Sequence, residues 1–222
     1  MLLDLARQVR QRMDRGQVPP SFTKSLWEKF DESPGELTER EIAYATGSLF
    51  GAGSDTSSST LMSFILAMTC FPRVQAKAQE ELDRVVGKGR APTWSDEASL
   101  PYCNAVIKET LRWRPVAVMG GTPHASVKDD FYQGHFIPKG TTILGNLWAI
   151  HHNEKYFEDS HEFIPERYLD EVPAGTEPYP HRDGHSAFGW VRLFFPFPLL
   201  GSLYHHHFGR YAFSRSSEKL VS

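Results

Sequence analysis

The sequence predicts a mainly α (α+β) fold in which helices come first and a small β-sheet follows. Three observations lead to this expectation. A helical pattern extends from about residue 38 to residue 70, shorter amphipathic patterns follow it, and short extended runs alternate with turn residues over 122–144. The chain has 222 residues, of which 40% are hydrophobic and 23% charged, and these ordinary globular proportions allow a sizeable core.

The residues before the long pattern predict one helix and a connector. Residues 1–15 combine charged and apolar side chains in the manner of an amphipathic helix, and the sequence GQVPPS at 16–21 ends it. A polar connector is expected to continue to Gly35. The first 15 residues contain no apolar run like that of a signal peptide, so they are not interpreted as a leader.

The long helix is predicted over about residues 38–70. Thr38 precedes two glutamates that lie in the first turn, where the helix dipole favours carboxylates, and Pro72 limits the other end. The middle of this helix is weak, because Gly51 and Gly53 each cost about 1 kcal/mol relative to alanine in a helix interior. A long helix that is weakened at its midpoint suggests a special role for that point.

Shorter elements follow the long helix. A helix is predicted over 73–86, and another over about 100–114, where Pro115 ends it. Residues 145–152 predict a short helix, and 153–187 form a meander rich in proline, glycine and charge. The apolar positions of the first of these helices fall on one face: Val74, Ala78, Leu82, Val85 and Val86.

Charge and cysteine content exclude some classes of function. The net charge is −3, which gives no reason to expect nucleic acid or an anionic membrane surface as a partner. Cys70 and Cys103 lack the spacing of metal ligands, and reduced structural thiols are favoured over a disulfide. The consecutive histidines at 151–152 and 205–207 do not have the spacing that directs two side chains to one metal ion.

Residues 52–56, with the sequence AGSDT, place small, hydroxyl and carboxyl side chains together in the middle of the long helix. Gly53 would let a ligand or a plate-like cofactor approach the backbone closely. Asp55 and Thr56 could open a local bulge and hold water for proton delivery. A helix kink packed against a neighbouring element explains the same residues, and the pattern alone leaves both interpretations open.

Two patterns in the C-terminal half carry further candidate residues. Glu109 and Arg112 have the i, i+3 spacing of a helical ion pair, which on these residues alone is a surface pair worth at most ~1 kcal/mol. Arg167, in the meander sequence PERY, could reach a helical carboxylate. Residues 185–190, with the sequence HSAFGW, form an aromatic and glycine-rich turn that could carry a ligand.

In this order and at these separations, the four patterns resemble those of the cytochrome P-450 family. The segment AGSDT is similar to the family's A-G-x-D-T motif, ETLR at 109–112 to its E-x-x-R motif, and PER at 165–167 to its P-E-R motif. The resemblance runs from about Leu2 to Trp190 and covers the C-terminal half of a complete enzyme. The sequence GNLWAIHH at 145–152, together with PERY, looks most like filamentous-fungal members that act in secondary metabolism.

The resemblance implies a fold and an ion-pair network. The expected fold is the C-terminal portion of the cytochrome P-450 fold, with a long central helix, a small β-sheet and a meander, in a partial domain over 1–190. In the family, the residues matching Glu109, Arg112 and Arg167 form a buried ion-pair network that fixes the meander beneath the heme. The resemblance therefore predicts that Glu109 and Arg112 form a buried structural ion pair and not a surface pair.

The resemblance also implies a role for the middle of the long helix. Ala52 and Gly53 match residues of the oxygen-binding groove beside the heme. Thr56 would hydrogen-bond dioxygen or water, and Asp55 would help to relay protons. These two residues are the candidate catalytic residues of the chain.

Cofactors, partners and localisation follow from the same resemblance. Heme is the expected cofactor, with electrons from NADPH through a reductase, and the expected substrate is a small apolar secondary metabolite. Members of the family are usually anchored in the endoplasmic-reticulum membrane. The longest apolar stretches here, Leu61–Phe71 and Leu193–Tyr204, are shorter than the ~20 residues of a spanning helix, so a cytoplasmic or peripheral-membrane location is expected.

The sequence departs from the family at the heme-binding loop, which in the family reads F-G-x-G-R-R-x-C-x-G. Phe188 and Gly189 begin the loop and Arg192 falls in place, so all three are candidate cofactor-binding residues. Phe195, however, stands where the cysteine is expected, and phenylalanine has no lone pair for iron. No residue is therefore assigned as a metal ligand.

Residues 191–222 do not continue the family pattern and are expected to be disordered or mis-spliced. An unspliced intron, a gene-model error and a pseudogene each account for the change after Trp190. Three functions remain open: a monooxygenase, a catalytically inactive remnant without the heme-ligand cysteine, and a heme-free binding module.

Overall fold

The computed structural model describes residues 1–169 and 185–188. These residues are mainly helical, with two small antiparallel sheets, which confirms the predicted fold class. The chain divides into two compact units, residues 1–59 and the described part of 60–222, and the boundary falls within the long helix. Each unit has its own hydrophobic core.

The first unit contains helices α1 (Leu2–Met13) and α2 (Phe22–Glu32) and the beginning of α3 (Glu39–Cys70). The indole Nε1 of Trp27 donates to the carbonyl of Ala6 at 3.1 Å, which joins α2 to α1. Side chains from all three helices form the core of this unit: Ala6, Trp27, Ile42 and Ala43.

Helix α2 corrects the expectation of a polar connector up to Gly35, which was wrong for residues 22–32. Ser21 caps the helix, since its hydroxyl accepts from the backbone N–H of Lys24 at 3.3 Å. Trp27 is buried and Phe30 packs edge-on against it at 5.4 Å between ring centroids. This packing of apolar side chains stabilises α2. The expectation of a connector rested on the polar residues and did not take it into account.

Helix α3 covers 32 residues, and a capping box closes its start. Glu41 accepts from the Thr38 backbone N–H at 2.7 Å, and the Thr38 hydroxyl accepts from the Glu41 N–H at 3.2 Å. The helix continues without interruption through Gly51 and Gly53, although both were expected to weaken it. It ends at Cys70, two residues before Pro72.

The second unit is built on helices α4 (Pro72–Val85) and α5 (Pro101–Trp113), with a 3₁₀ helix at Trp94–Ser99 between them. The apolar positions predicted for α4 lie in its core or at the edge of it. Three rings from different elements pack together, at 5.6 to 5.7 Å between centroids: Phe71, Trp113 and Phe163. This cluster holds the meander against the end of α5.

Short strands and turns complete the second unit. Strand β1 (His124–Ala125) pairs antiparallel with β4 (Thr142–Ile143), and β2 (Asp130–Tyr132) pairs with β3 (His135–Ile137). Helix α6 (Leu147–His151) follows the strands, and 3₁₀ helices occupy Pro165–Tyr168 and Ser186–Phe188. Among the described residues, no helix has the length and apolar character needed to cross a bilayer.

Candidate functional site

A buried ion pair on α5 lies at the centre of the second unit. Glu109 and Arg112, one helical turn apart, are both completely inaccessible to solvent. The guanidinium of Arg112 donates from Nε to Glu109 Oε2 at 2.7 Å and from Nη2 to Glu109 Oε1 at 2.8 Å. This two-bond geometry is specific to arginine, since its planar fork matches the two carboxylate oxygens.

The remaining donors of Arg112 bind backbone carbonyls at the end of α6 and in the segment that follows it. Nη1 donates to the carbonyls of His151 at 2.8 Å and Ser160 at 2.7 Å, and Nη2 donates to that of Glu162 at 2.9 Å. One side chain therefore joins the end of α6 to two points of the irregular segment after it.

Arg167 joins the same carboxylate from the meander. Its Nε lies 3.5 Å from Glu109 Oε1, and its Nη2 donates to the carbonyl of Asp159 at 2.9 Å. Glu109 Oε1 also accepts from the backbone N–H of Ile164 at 2.8 Å. The structure thus brings together Glu109, Arg112 and Arg167, the three residues that the sequence proposed for one network.

Helix α5 is itself fixed by a carboxylate from α4. Glu81 accepts from the backbone N–H groups of Tyr102 at 3.0 Å and Cys103 at 2.8 Å, at the N-terminal end of α5. These N–H groups have no partner within the helix, and the helix dipole favours a carboxylate there. Glu81 therefore sets the position of α5 and of the ion pair on it. The sequence reasoning missed this residue, because a contact between two helices leaves no local pattern.

Two histidines are buried beside this network: His151, which was not expected to be a metal ligand, and His185, which begins the turn that was expected to carry a ligand. His151 is completely inaccessible and His185 is 5% exposed. Burial lowers the pKa of His151 to about 4, and the neighbouring Arg112 charge acts in the same direction. Burial also lowers the pKa of His185 to about 3, and the neighbouring His151 acts in the same direction. No local sequence pattern indicates this pair, since the two residues are 34 positions apart.

Residues 52–56 lie in the first unit, on the exposed middle part of α3. Asp55 and Thr56 have exposed side chains, and the Thr56 hydroxyl donates to the carbonyl of Ala52 at 2.7 Å. The α-helix is continuous through these residues and the hydroxyl bonds within it, so the structure has no local bulge here. An added Cβ at Gly53 would meet nothing within 4 Å among the described residues.

The remaining candidates belong to the loop after residue 185. Phe188 ends the 3₁₀ helix Ser186–Phe188. Gly189, Arg192 and Phe195 lie outside the described residues, as do the predicted tail at 191–222 and residues 170–184 of the meander.

The thiol donors of the chain do not fit a heme that needs an axial thiolate. Cys103 is buried, and burial together with the Glu81 carboxylate raises the pKa of its thiol, which favours the form that does not bind metal. Cys70 is exposed at the C-terminal end of α3. Within 1–169 and 185–188, no three His, Cys, Asp or Glu side chains are placed to hold a metal ion. At the expected ligand position the sequence has Phe195.

Comparison with known proteins identifies relatives for most of the chain. The family model described as cytochrome P-450 matches residues 1–190. Cytochrome P-450 monooxygenase 113 of Postia placenta is 46% identical over 166 residues, which cover 75% of this chain and 33% of the relative. Monooxygenase acuD of Aspergillus aculeatus is 46% identical over 172 residues, 78% of this chain and 32% of the relative. The chain thus spans about a third of the length of these curated relatives.

Solved structures agree with the sequence comparison. A zebrafish cytochrome P-450 in complex with abiraterone aligns with a TM-score of 0.66 and 33% identity, over 77% of this chain and 42% of that one. A zebrafish cytochrome P-450 with progesterone aligns with a TM-score of 0.62 and 36% identity, over 69% of this chain and 37% of that one. The matched residues include α5 with its buried ion pair. The chain belongs to the cytochrome P-450 family.

Proposed function

We propose that this chain represents a fungal cytochrome P-450 monooxygenase that oxidises a small apolar secondary metabolite. We also propose that the polypeptide that carries residues 191–222 of this sequence is a heme-free scaffold. Curated relatives at 40–46% identity are named as fungal monooxygenases, among them patI of Penicillium expansum and claR of Ampulloclitocybe clavipes. In such an enzyme, electrons would come from NADPH through a reductase partner.

The observation that carries the scaffold part of this proposal is the buried network of Glu109, Arg112 and Arg167. Together these three side chains hold the carbonyls of residues 151, 159, 160 and 162 and the N–H of residue 164. A buried ion pair of this kind contributes little net stability compared with a well-packed apolar core, so its value lies in fixing one arrangement of the meander. We interpret it as the support on which a cofactor loop would be built.

The observation that carries the heme-free part is the donor chemistry. Iron in this family's chemistry needs a thiolate, and phenylalanine offers no lone pair. Phe195 therefore removes the ligand, while Cys103 is held by α4 and α5 in a setting that favours the neutral thiol. Asp55 and Thr56 remain the candidate catalytic residues of a complete enzyme. In a polypeptide without the heme ligand there would be no activated oxygen for them to act on.

A heme titration with two cysteine variants tests the proposal. Three proteins are incubated with hemin, reduced and exposed to carbon monoxide: the full original chain, Phe195→Cys and Phe194→Cys. The difference spectrum is then examined for the band of a thiolate-ligated heme. We expect this spectrum from Phe195→Cys and not from the printed chain. Phe194→Cys is the matched control, since it adds the same thiol one position away.

A thiolate-type spectrum from the printed chain would refute the heme-free assignment, and an equal spectrum from Phe194→Cys would show that the position has no special role. Sequencing transcripts across the codons for His185 to Ser222 decides the origin of the tail. Messages that restore G-R-R-x-C-x-G after Trp190 would assign monooxygenase activity to the gene. If every message encodes Val191 and Arg192 as printed, no working monooxygenase is made from it.

A further inference from the structure

Two buried imidazoles join the segment 185–188 to the rest of the second unit. The ring centroids of His151, at the end of α6, and His185 lie 5.2 Å apart with an interplanar angle of 70°. The edge of Phe157 faces His151 at 6.3 Å, and the Tyr168 ring lies 6.2 Å from His185. The histidines thus form the contact between α6 and the turn that precedes the family's cofactor loop.

Each imidazole makes a hydrogen bond within this turn. His151 Nε2 is bonded to the hydroxyl of Ser186. The backbone N–H of Ala187 donates to Nδ1 of His185 at 3.1 Å. An N–H group can only donate, so Nδ1 must carry a lone pair, and the proton of neutral His185 is on Nε2. A hydrogen bond between the His185 ring and the backbone of Lys108 ties the same residue to α5.

The surroundings of the two rings are unfavourable for positive charge. Arg112 and Lys108, both from α5, act against a charge on His185, and Arg112 also acts against one on His151. The nearby carboxylate, Glu109, already binds the guanidinium of Arg112 through both oxygens. The titratable and charged groups that face the pair come from α5, α6 and the 3₁₀ helix at Pro165–Tyr168: Lys108, Glu109, Arg112, His152 and Tyr168.

We propose that His151, His185 and Ser186 form an acid-sensitive latch, which holds residues 185–188 against α5 and α6 only while both imidazoles are neutral. Protonation of His185 removes the acceptor of the Ala187 N–H bond and buries a cation beside Arg112 and Lys108. Protonation of His151 adds a second buried cation at 5.2 Å between ring centroids. The latch concerns the fold of this chain and does not depend on heme.

The pH at which the latch opens follows from the direction of the shifts. The pKa of each imidazole lies below its ordinary value of 6.5 while the latch is closed, so the open form binds protons that the closed form does not. The latch is therefore fully stable above about pH 6.5 and is lost as the pH falls toward 4. From about pH 7 to about pH 5, one such histidine weakens the closed form by about 20-fold, and two together by several hundred-fold.

Hydrogen exchange at the Ala187 amide measures this equilibrium in the full chain without any cofactor. Exchange rates are recorded from about pH 7 to about pH 5, and the intrinsic rate at each pH is divided by the observed rate, which gives a protection factor. We expect the protection factor to fall by several hundred-fold in the original chain and by about 20-fold in His151→Gln. His135→Gln, a variant of an exposed strand histidine, is the matched control and should retain the full fall.

A variant of the hydrogen-bond partner separates the latch from a general loss of structure. Ser186→Ala leaves both imidazoles titratable, so we expect lower protection at neutral pH with the same dependence on pH. If His151→Gln does not fold, the original chain and Ser186→Ala still decide. An Ala187 amide that is unprotected near neutral pH, or whose protection does not change down to about pH 5, overturns the proposal. A several hundred-fold fall of the protection factor in His151→Gln, as large as in the original chain, also overturns the proposal.

Discussion

Replacing Arg112 by methionine is the most direct test of the ion-pair network. The change keeps a long apolar side chain at the position but removes all donors. It leaves Glu109 as a buried carboxylate with its Ile164 bond and the more distant Arg167, and it leaves three carbonyls without the guanidinium. Arg112→Met therefore tests whether the meander depends on this single side chain.

The expected magnitude follows from the burial of the pair. Removing one partner of a buried ion pair costs about 3–5 kcal/mol, because the other charge is left without compensation. Both side chains are fully inaccessible here, so solvent cannot screen the remaining carboxylate. A loss of about 4 kcal/mol is a large part of the 5–15 kcal/mol that stabilises a typical domain. With a urea dependence of about 2 kcal/mol per M, the midpoint should fall by about 2 M.

Urea unfolding followed by tryptophan fluorescence measures this change. Arg84→Met is the matched control, since Arg84 is exposed on α4 and the same substitution there should change the free energy of unfolding by less than about 0.5 kcal/mol. Arg112→Lys keeps the charge but loses the planar fork, so an intermediate loss is expected. A midpoint for Arg112→Met equal to that of Arg84→Met would refute the reasoning.

A double variant separates the ion pair from the carbonyl bonds. Glu109→Met combined with Arg112→Met removes both charges, so it should cost less than the sum of the two single variants. The part of the loss that remains belongs to the meander carbonyls and to Arg167, which loses its carboxylate. Simple additivity of the two single losses would contradict a direct interaction between the side chains.

Two further predictions use pairs of matched residues. Gly120 and Gly121 both have positive φ, at 81° and 79°, but an added Cβ would overlap the carbonyl of Gly145 only at Gly120. Gly121→Ala should therefore cost about 1 kcal/mol in urea unfolding and Gly120→Ala clearly more, and equal losses would show that the close approach is absent. A thiol reagent should modify Cys70 in the native chain and Cys103 only in denaturant, because burial raises the pKa of the Cys103 thiol, and native modification of both would contradict this.

Local patterns predicted the helices well because their periodicity and their ends are encoded by neighbouring residues. Helices α3 and α5 lie where Thr38 and the flanking prolines place them. Helix α2 was missed although it has a local signal, the Ser21 cap and apolar residues at helical spacing such as Leu26 and Phe30, because the polar residues around them suggested a connector. At residues 52–56 the sequence left a bulge and a packed kink open, and the structure has a continuous helix in which the Thr56 hydroxyl bonds to the Ala52 carbonyl.

The candidate site was predictable only in part. Glu109 and Arg112 have a helical spacing that, by itself, indicates a surface pair, and only the resemblance to a family placed them in a buried network with Arg167. Their partners in the structure are mostly backbone carbonyls between residues 151 and 162. A carbonyl has no sequence signature, so these bonds could not be read from the residues. The burial of His151 and His185 was invisible for the same reason.

The network and the iron ligand are separable in this chain, and the separation has a physical basis. Arg112 is satisfied entirely by Glu109 and by backbone carbonyls, so its bonds need no cofactor to form. A meander fixed in this way can persist when the cysteine position holds Phe195, because the bonds that the structure describes join the three side chains to residues 151–164. A chain can therefore have the family's scaffold without its heme chemistry. The expected difference between Phe195→Cys and Phe194→Cys measures the iron ligand without disturbing the ion-pair network.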